Sequence, residues 1–491
     1  MAEPFPTPIG KPDRRLAGEQ RTLAQPLRSL LRGAPLVCHE KDTVRTAVQR
    51  MHDENVGAIV VVDGRNRPTG IFTERDLLRA TLQLQLDAPV TDVMSSDPLS
   101  LPDHTPSYEA ALLMIQHGIR HVLVNRDDQL VGVVSERDLF SLQRLGLGEL
   151  TMETRLARDV DTLAGLAGRV RQLTRILLEQ GVAAEQLTLF VSVLNDRISE
   201  RIIELVRKRH SWERVGWCWL AFGSEGRLEQ TFATDQDNGL VFVAHDDSAP
   251  ARVRELLLPF AREVNEALDA CGFPLCKGNV MASNPELCLS MAEWKAKLEG
   301  WLANSDPKAL LDAAICFDFR ALYGDARLAS DLRRWFLDVT RKRPNFLRLM
   351  AENALQVKPP LGRWRDFITE DAPNTPGTIN LKMYGVRPFV DAARVYSLAH
   401  GLPQTNTADR LRGAGSAGAL PTDETRSMLA AFFLIQRIRL AHQATSDTFA
   451  AHDGSNRIDP DTLNQLDRRS LKEAFRIARD LQSRLAMDYH L

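Results

Sequence analysis

The 491-residue sequence predicts an α+β multidomain protein, and three observations carry that prediction. Two copies of a strand-turn-strand-helix pattern occupy residues 35 to 145. A second strand-turn-strand stretch, 217–243, places two carboxylates beside a Gly-Ser turn. Long amphipathic runs fill 150–210 and most of the chain after 325. About three domains are expected at this length. The pattern changes set their limits: an N-terminal arm (1–34), a tandem repeat (35–148), a helical linker (149–210), a domain with a mixed sheet and helices (211–325) and a C-terminal helical bundle (326–491).

Composition narrows the function classes. Hydrophobic residues at 44% and charged residues at 26% are those of a soluble globular chain with ample core. A net charge of −2 argues against a broad electrostatic footprint for DNA or RNA. No apolar run reaches membrane-spanning length, and no charged-then-apolar signal segment opens the chain. The six cysteines (38, 218, 271, 276, 288, 316) lack CxxC spacing, which fits a reducing cytoplasm and predicts no disulfide framework. Cys271, Cys276 and Cys288 have no paired His to complete a zinc set.

Residues 1–25, rich in Pro, Gly and charge, predict a mobile arm, followed by a short helix at Pro26–Arg32. The repeat aligns without gaps: 57–80 falls on the stretch starting at Ile119 when 62 is added to each position. Each copy begins with an amphipathic segment (Val44–Glu54, Ser107–His117) and ends in Thr73-Glu74-Arg75-Asp76 or Ser135-Glu136-Arg137-Asp138. Two copies form a paired module rather than a solenoid. Thr73 and Ser135 sit where helix N-caps belong, with each Asp in a first turn that favours negative charge. The repeat, with Val93-Met94 before its second copy, resembles a CBS-domain pair. The resemblance implies that Thr73, Asp76, Ser135 and Asp138 contact the phosphate and ribose of an adenine nucleotide, and that the chain dimerises through the pair. Arg120 and His121 would face the same cleft.

Between 150 and 210, Leu187, Phe190, Val191, Leu194, Ile198, Ile202, Leu205 and Val206 recur at three- and four-residue spacing and predict a helix packed on the next domain. There Trp217–Phe222 is an apolar strand that stops at Gly223-Ser224, and Leu240–Val243 is a second strand. Residues i and i+2 of a strand share a face, so Asp235 and Asp237 present paired carboxylates that repel unless a cation lies between them. Oxygen donors of this kind suit Mg²⁺, which completes its shell with substrate phosphates. Gly223 lets main-chain N–H groups approach a phosphate, and Ser224 adds a hydroxyl. The GS turn, ten residues and then DxD resemble the DNA polymerase beta superfamily of nucleotidyltransferases, and more closely the PII-protein uridylyltransferases. The spelling GSEGRxEQTxxTDQDN is closer still to a bacterial nucleotidyltransferase family found behind CBS domains. By resemblance, Gly223 and Ser224 bind the triphosphate, Asp235 and Asp237 hold two Mg²⁺ ions, and the domain has a polymerase-beta-like mixed sheet. Arg227 is a candidate phosphate contact.

A helix is predicted at Ala251–Cys271. The next segment, FPLCKGNVMASNP (273–285), brings Lys277 and Asn279 towards the cleft and has no carboxylate before Glu286. Superfamily members use a third carboxylate. Asp318 is the candidate, expected on a strand with Arg320 on its face; a buried Asp318–Arg320 pair is the alternative. Beyond 325 the runs have bundle length. The segment from Ile379 to Phe389 resembles the same family's INLKxxGxRP signature, with Lys382 and Arg387 as cleft candidates. RLRGAGSAGAL (410–420) lacks the Walker Lys and Ser/Thr and predicts a flexible connection between helices.

The resemblance implies in-line transfer of a nucleotide from an NTP to an acceptor hydroxyl on a protein such as a PII-like regulator, with the CBS pair as sensor. No HD-type phosphohydrolase motif accompanies it. Two alternatives remain: a non-catalytic nucleotide sensor with a degenerate transferase domain, and transfer to a small molecule or tRNA end, the latter disfavoured by the near-neutral charge.

Overall fold

The structure is a computed structural model that describes residues 25–491, except 32, 66, 83–84, 128, 141–146, 213–214, 244–249, 304–312, 363–365, 373–374 and 446–455. Residues 1–24 of the predicted arm fall outside the described residues. The chain forms two compact units, Met1–Gly146 and Leu147–Leu491.

In the first unit the repeat folds twice. One copy runs β1 (Val37–His39), α1 (Val44–Asp53), β2 (Ala58–Val62), β3 (Pro68–Thr73), α2 (Glu74–Leu82) and β4 (Ser95–Ser96). The other runs β5 (Ser100–Pro102), α3 (Ser107–His117), β6 (His121–Arg126), β7 (Gln129–Ser135) and α4 (Glu136–Phe140). The sheets have orders β1-β2-β3-β4 and β5-β6-β7, each with a parallel first pair and an antiparallel second pair. The uninterrupted apolar run of β2 reflects burial on both faces. Ile59 and Val61 join Phe72, Ala47 and Met51 in one core, whereas Val60 and Val62 meet Ile71 and Leu123 of the second copy. The helix predicted at Pro26–Arg32 is a single 3₁₀ turn, Leu27–Ser29.

The second unit opens with α5 (Leu147–Leu156), α6 (Val160–Glu179) and α7 (Ala184–Arg207). Of the eight stripe residues on α7, all but Leu205 are buried, and the helix packs on α6, the sheet and the helix behind it. Next come β8 (Gly216–Ala221), the one-turn α8 (Gly223–Gly226), β9 (Asn238–Val243), α9 (Pro250–Ala270), β10 (Cys288–Ser290), α10 (Met291–Ala303) and β11 (Arg320–Gly324). The sheet has order β10-β9-β8-β11; β9 and β11 run antiparallel to β8, and β10 parallel to β9. Trp294 anchors α10 by donating from its indole to the Leu240 carbonyl (2.7 Å).

The rest is α11 (Ala326–Arg341), α12 (Pro344–Ala354), β12 (Glu370–Ala372), β13 (Thr375–Asn380), a π-helical turn (Lys382–Val386), α13 (Arg387–His400), α14 (Thr407–Ser416), α15 (Thr422–Ala444), β14 (Arg457–Ile458) and α16 (Gln465–Asp488). A small sheet, β12-β13-β14, therefore accompanies the predicted bundle. The Gly-rich stretch predicted as a flexible connection is instead mostly helix α14. Its glycines face neighbours: a Cβ on Gly415 would stand 3.0 Å from the Thr425 hydroxyl, and one on Gly413 3.1 Å from Leu402.

Candidate nucleotide and metal site

Strand pairing brings the two halves of the 217–243 motif together. Ala221, the last residue of β8, is in register with Asn238, the first of β9, so the Gly-Ser turn and the DxD segment leave the sheet side by side. Phe222 donates its N–H to the Asp237 carbonyl (2.8 Å). Gly223 then turns the chain at φ +54°, where a side chain is strained, and a Cβ there would lie 2.5 Å from Asp237 Oδ2. Only glycine lets the turn approach the carboxylate so closely.

The intervening residues of the DxD segment point inward. The buried Gln236 amide donates to the carbonyls of Asn265 (2.9 Å) and Phe273 (2.7 Å). Asn265 in turn donates to Gln236 Oε1 (2.7 Å) and Asn238 Oδ1 (3.0 Å). Asn238 Oδ1 also accepts from the Ala282 N–H (2.8 Å). With Gln236 and Asn238 anchored, alternation turns Asp235 and Asp237 to the other side.

The same anchors hold the 273–283 loop beside the carboxylates. Gln236 N–H donates to the Pro274 carbonyl and Asn238 N–H to that of Val280, both at 3.1 Å. Cys276, between these contacts, places its thiol 3.3 Å from Asp237 Oδ1. One donor atom from each of Asp235, Asp237 and Cys276 lies within 4.8 Å of the others. Burial pushes the Asp237 carboxyl up to about 7, and neighbouring Asp235 adds to the rise. A paired carboxylate that resists ionising on its own is stabilised by a cation, so this donor set fits a divalent metal. Spacing between cysteines held no hint of Cys276, because its partners are carboxylates some forty residues upstream.

On the other side of the site, Lys382 Nζ from the π-helical turn stands 3.9 Å from Asp235 Oδ1. Arg387 turns away to Asp391 (3.0 Å). Lys277 and Asn279 are exposed on the loop, and Ser224 is partly buried in the turn.

Asp318 lies in the turn that precedes β11, not on a strand, and is fully buried. Its carboxylate accepts from Arg227 Nη1 (2.8 Å) and from Arg394 Nε (3.0 Å) and Nη2 (2.7 Å), and Arg410 Nη1 stands 2.7 Å away. Burial alone would raise this carboxyl; the guanidiniums of Arg394, Arg410 and Arg227 outweigh it and hold it well below the usual carboxylate range. Arg320 pairs instead with Asp196 (2.7 Å) and the Glu225 carbonyl. Arg227, the candidate phosphate contact, is not directed at the carboxylate pair: Glu229 (2.9 Å) and Asp318 hold it. Glu229 also accepts from the Thr407 N–H (2.6 Å), and Asn406 donates to the Arg227 carbonyl (2.9 Å), which ties this loop to the start of α14.

In the first unit each Asp closes back on its own motif. Asp76 Oδ2 accepts from the Thr73 hydroxyl (2.8 Å) and N–H (3.0 Å), and Asp138 Oδ2 from those of Ser135 (2.5 and 3.0 Å). Arg79 also holds Asp76 (2.8 Å). The two motifs are thus built alike, as the 62-residue offset requires.

Comparison with known proteins finds three family models along the chain. The CBS domain model matches 27–83 and 90–144. The model described as Putative nucleotidyltransferase DUF294 matches 168–308, and its putative nucleotidyltransferase substrate binding domain matches 344–489. Among curated relatives, an uncharacterized 17.7 kDa protein of Acidianus ambivalens is 36% identical over 98 residues, 20% of this chain and 60% of that protein. The uncharacterized protein YlbB of Bacillus subtilis is 34% identical over 105 residues, 21% and 71% of the two chains. A mitochondrial CBS domain-containing protein of Arabidopsis thaliana is 35% identical over 114 residues, 22% of this chain and 55% of that one. Among solved structures, a CBS domain protein from Pyrobaculum aerophilum complexed with AMP is 33% identical, covering 23% of this chain and 88% of that one with a TM-score of 0.22. A CBS pair, the domain that carries the Gly-Ser turn and paired carboxylates, and the domain behind it match these models one after another along the chain, which belongs to the CBS-domain-containing putative nucleotidyltransferases.

Proposed function

We propose that the protein transfers a nucleoside monophosphate from an NTP to an acceptor hydroxyl, on a protein of the PII-regulator type, under the control of an adenine nucleotide at the CBS pair. The observation that carries this reading is the 2.5 Å gap between Asp237 Oδ2 and the position a Gly223 side chain would occupy. A phosphate-approachable turn and a cation-demanding carboxylate pair share one place, as a metal-bound triphosphate requires.

Asp235 and Asp237 would hold the Mg²⁺ that accompanies the triphosphate, which would neutralise its charge and polarise the reacting oxygens. The Gly223-Ser224 turn positions the β,γ-phosphates, and Lys382 moves from Asp235 onto a phosphate oxygen when substrate arrives. The acceptor oxygen bonds to the α-phosphorus and gives up its proton to solvent. The bond from that phosphorus to the bridging oxygen breaks, and pyrophosphate leaves with the electron pair. Asp318 and Arg227 act as positioning residues: their ion pairs brace the loop behind the turn. Thr73, Asp76, Ser135 and Asp138 meet the regulatory nucleotide, and the pair dimerises two copies of the chain.

Calorimetric titration of the full chain with each NTP, with and without Mg²⁺, tests the core of this reading. Metal-dependent binding of one NTP, lost in Asp235→Ala/Asp237→Ala, supports it and names the base. Transfer from that α-labelled NTP to a purified PII-type protein, abolished by Asp237→Asn, then identifies the acceptor class. No metal-dependent binding of any NTP would make the chain a sensor alone.

A further inference from the structure

The metal site contains a donor that oxygen-only chemistry does not call for. Cys276 is brought to Asp237 by backbone hydrogen bonds on both sides, from Gln236 to Pro274 and from Asn238 to Val280, each 3.1 Å. The turn around it is closed by Asn279, whose N–H donates to the Cys276 carbonyl (2.9 Å) and which holds a left-handed φ of +54°. The sulfur is therefore placed by the fold, 3.3 Å from Asp237 Oδ1 and within the same 4.8 Å as Asp235. Where a third carboxylate would complete an all-oxygen set, the described residues put a thiol, since Asp318 is enclosed by three arginines.

We propose that Cys276 is the third side-chain ligand of the metal site, and that the ion shared by Asp237 and Cys276 is a thiophilic divalent cation of the Zn²⁺ class rather than Mg²⁺. This rests on the metal-binding reading above and deepens it. Mg²⁺ takes oxygen donors almost exclusively, whereas sulfur shifts preference towards later transition metals. On binding, the S–H bond breaks, the sulfur donates to the metal, and the proton leaves to solvent. The other ion, the one that arrives with the triphosphate, keeps its oxygen shell. The site is then one hard and one borderline position joined by Asp237. The five other cysteines are buried and lie outside this donor cluster, Cys316 being the one whose charge interactions reach Asp237 and Cys276.

Co²⁺ added to the full chain is the probe, because a cobalt–thiolate bond has a charge-transfer absorption that carboxylates cannot produce. The expected result is that band in the wild type and its loss in Cys276→Ser, with Zn²⁺ bound at least about 10–100-fold more weakly and Mg²⁺ binding unchanged. Protection of Cys276 from alkylation by stoichiometric Zn²⁺, read by mass spectrometry on the wild type, gives the same answer if the variant folds poorly. Co²⁺ that binds with no thiolate band, and loses its site in Asp235→Asn/Asp237→Asn, would overturn the role of Cys276 and leave the carboxylate site standing. A band that survives Cys276→Ser would likewise overturn it. Failure of Co²⁺, Zn²⁺ and Mg²⁺ to bind at all would overturn both readings.

Discussion

Asp318 and Glu225 show how differently two buried carboxylates can be kept. Asp318 is ionised and answered by three guanidiniums. Asp318→Asn leaves Arg227, Arg394 and Arg410 without their shared counter-charge, and removing one partner of a buried ion network typically costs roughly 3–5 kcal/mol. Thermal unfolding of the full chain should show that loss, while the protein that remains folded still binds metal; a variant of normal stability that has lost metal binding would instead make Asp318 a ligand. Among the described residues no guanidinium forms an ion pair with the Glu225 carboxylate. Burial pushes it up to about 8, with Asp196 and Asp237 adding to the rise and Arg320 opposing it. From pH 4.5 to about 8 the unfolded chain ionises this carboxyl while the folded chain keeps its proton. Its contribution to stability is therefore full in acid and is lost as pH rises through that window. Glu225→Gln should flatten this part of the dependence of Tm on pH and make the protein more stable than wild type at pH 8. Parallel curves for the two proteins would contradict that assignment.

Within the turn after β8, two glycines three residues apart serve different ends. A Cβ on Gly223 meets the tip of the Asp237 side chain, a group that can rotate away. Gly223→Ala should thus cost about 1–2 kcal/mol for its left-handed backbone and disturb metal binding far more than folding. A Cβ on Gly226 meets backbone, 1.9 Å from the Asp318 carbonyl oxygen and 2.8 Å from that of Ala221. Neither can move without the strand or turn that carries it, so Gly226→Ala should reach or pass the upper end of the roughly 1–3 kcal/mol of an overpacked site. Denaturant unfolding and Co²⁺ titration of both variants separate the two cases. A Gly223→Ala protein with unaltered metal affinity would remove the case for close approach. The same logic explains why 407–416 is helix despite its glycines: Gly413 and Gly415 let α14 sit close to its neighbours, and tertiary packing outweighs their low helix propensity.

Across the whole molecule, the CBS pair and the remainder of the chain are separate compact units, each with its own cores. Residues 1–146 alone should therefore fold cooperatively. If Thr73 and Ser135 meet an adenine nucleotide, a ligand at 100 times its Kd should stabilise that fragment by about 2.7 kcal/mol, and the shift should vanish in Thr73→Ala/Ser135→Ala. Scanning calorimetry with AMP, ADP and ATP decides it; no shift with any of them would leave the pair as a docking module. Among the described residues no helix is long and apolar enough to cross a membrane.

Much of this protein is determined by local pattern. The 62-residue repeat, the β8–turn–β9 motif, the stripe on α7 and the helix Ser107–His117 depend on hydrophobic period and turn chemistry, which short windows of sequence contain. Asp235, Asp237 and Gly223 belong to the same class, because strand alternation and a tight turn suffice to put them together. The candidate third donor does not. Asp318 matched on residue type, yet the arginines that surround it come from positions 227, 394 and 410, and Cys276 reaches Asp237 only because buried amides of Gln236, Asn238 and Asn265 pin a loop there. Whether a carboxylate is a ligand or a counter-ion depends on which charges share its burial, and that is a property of contacts between distant segments. Residue identity and spacing set the available donors; the tertiary structure decided their partners.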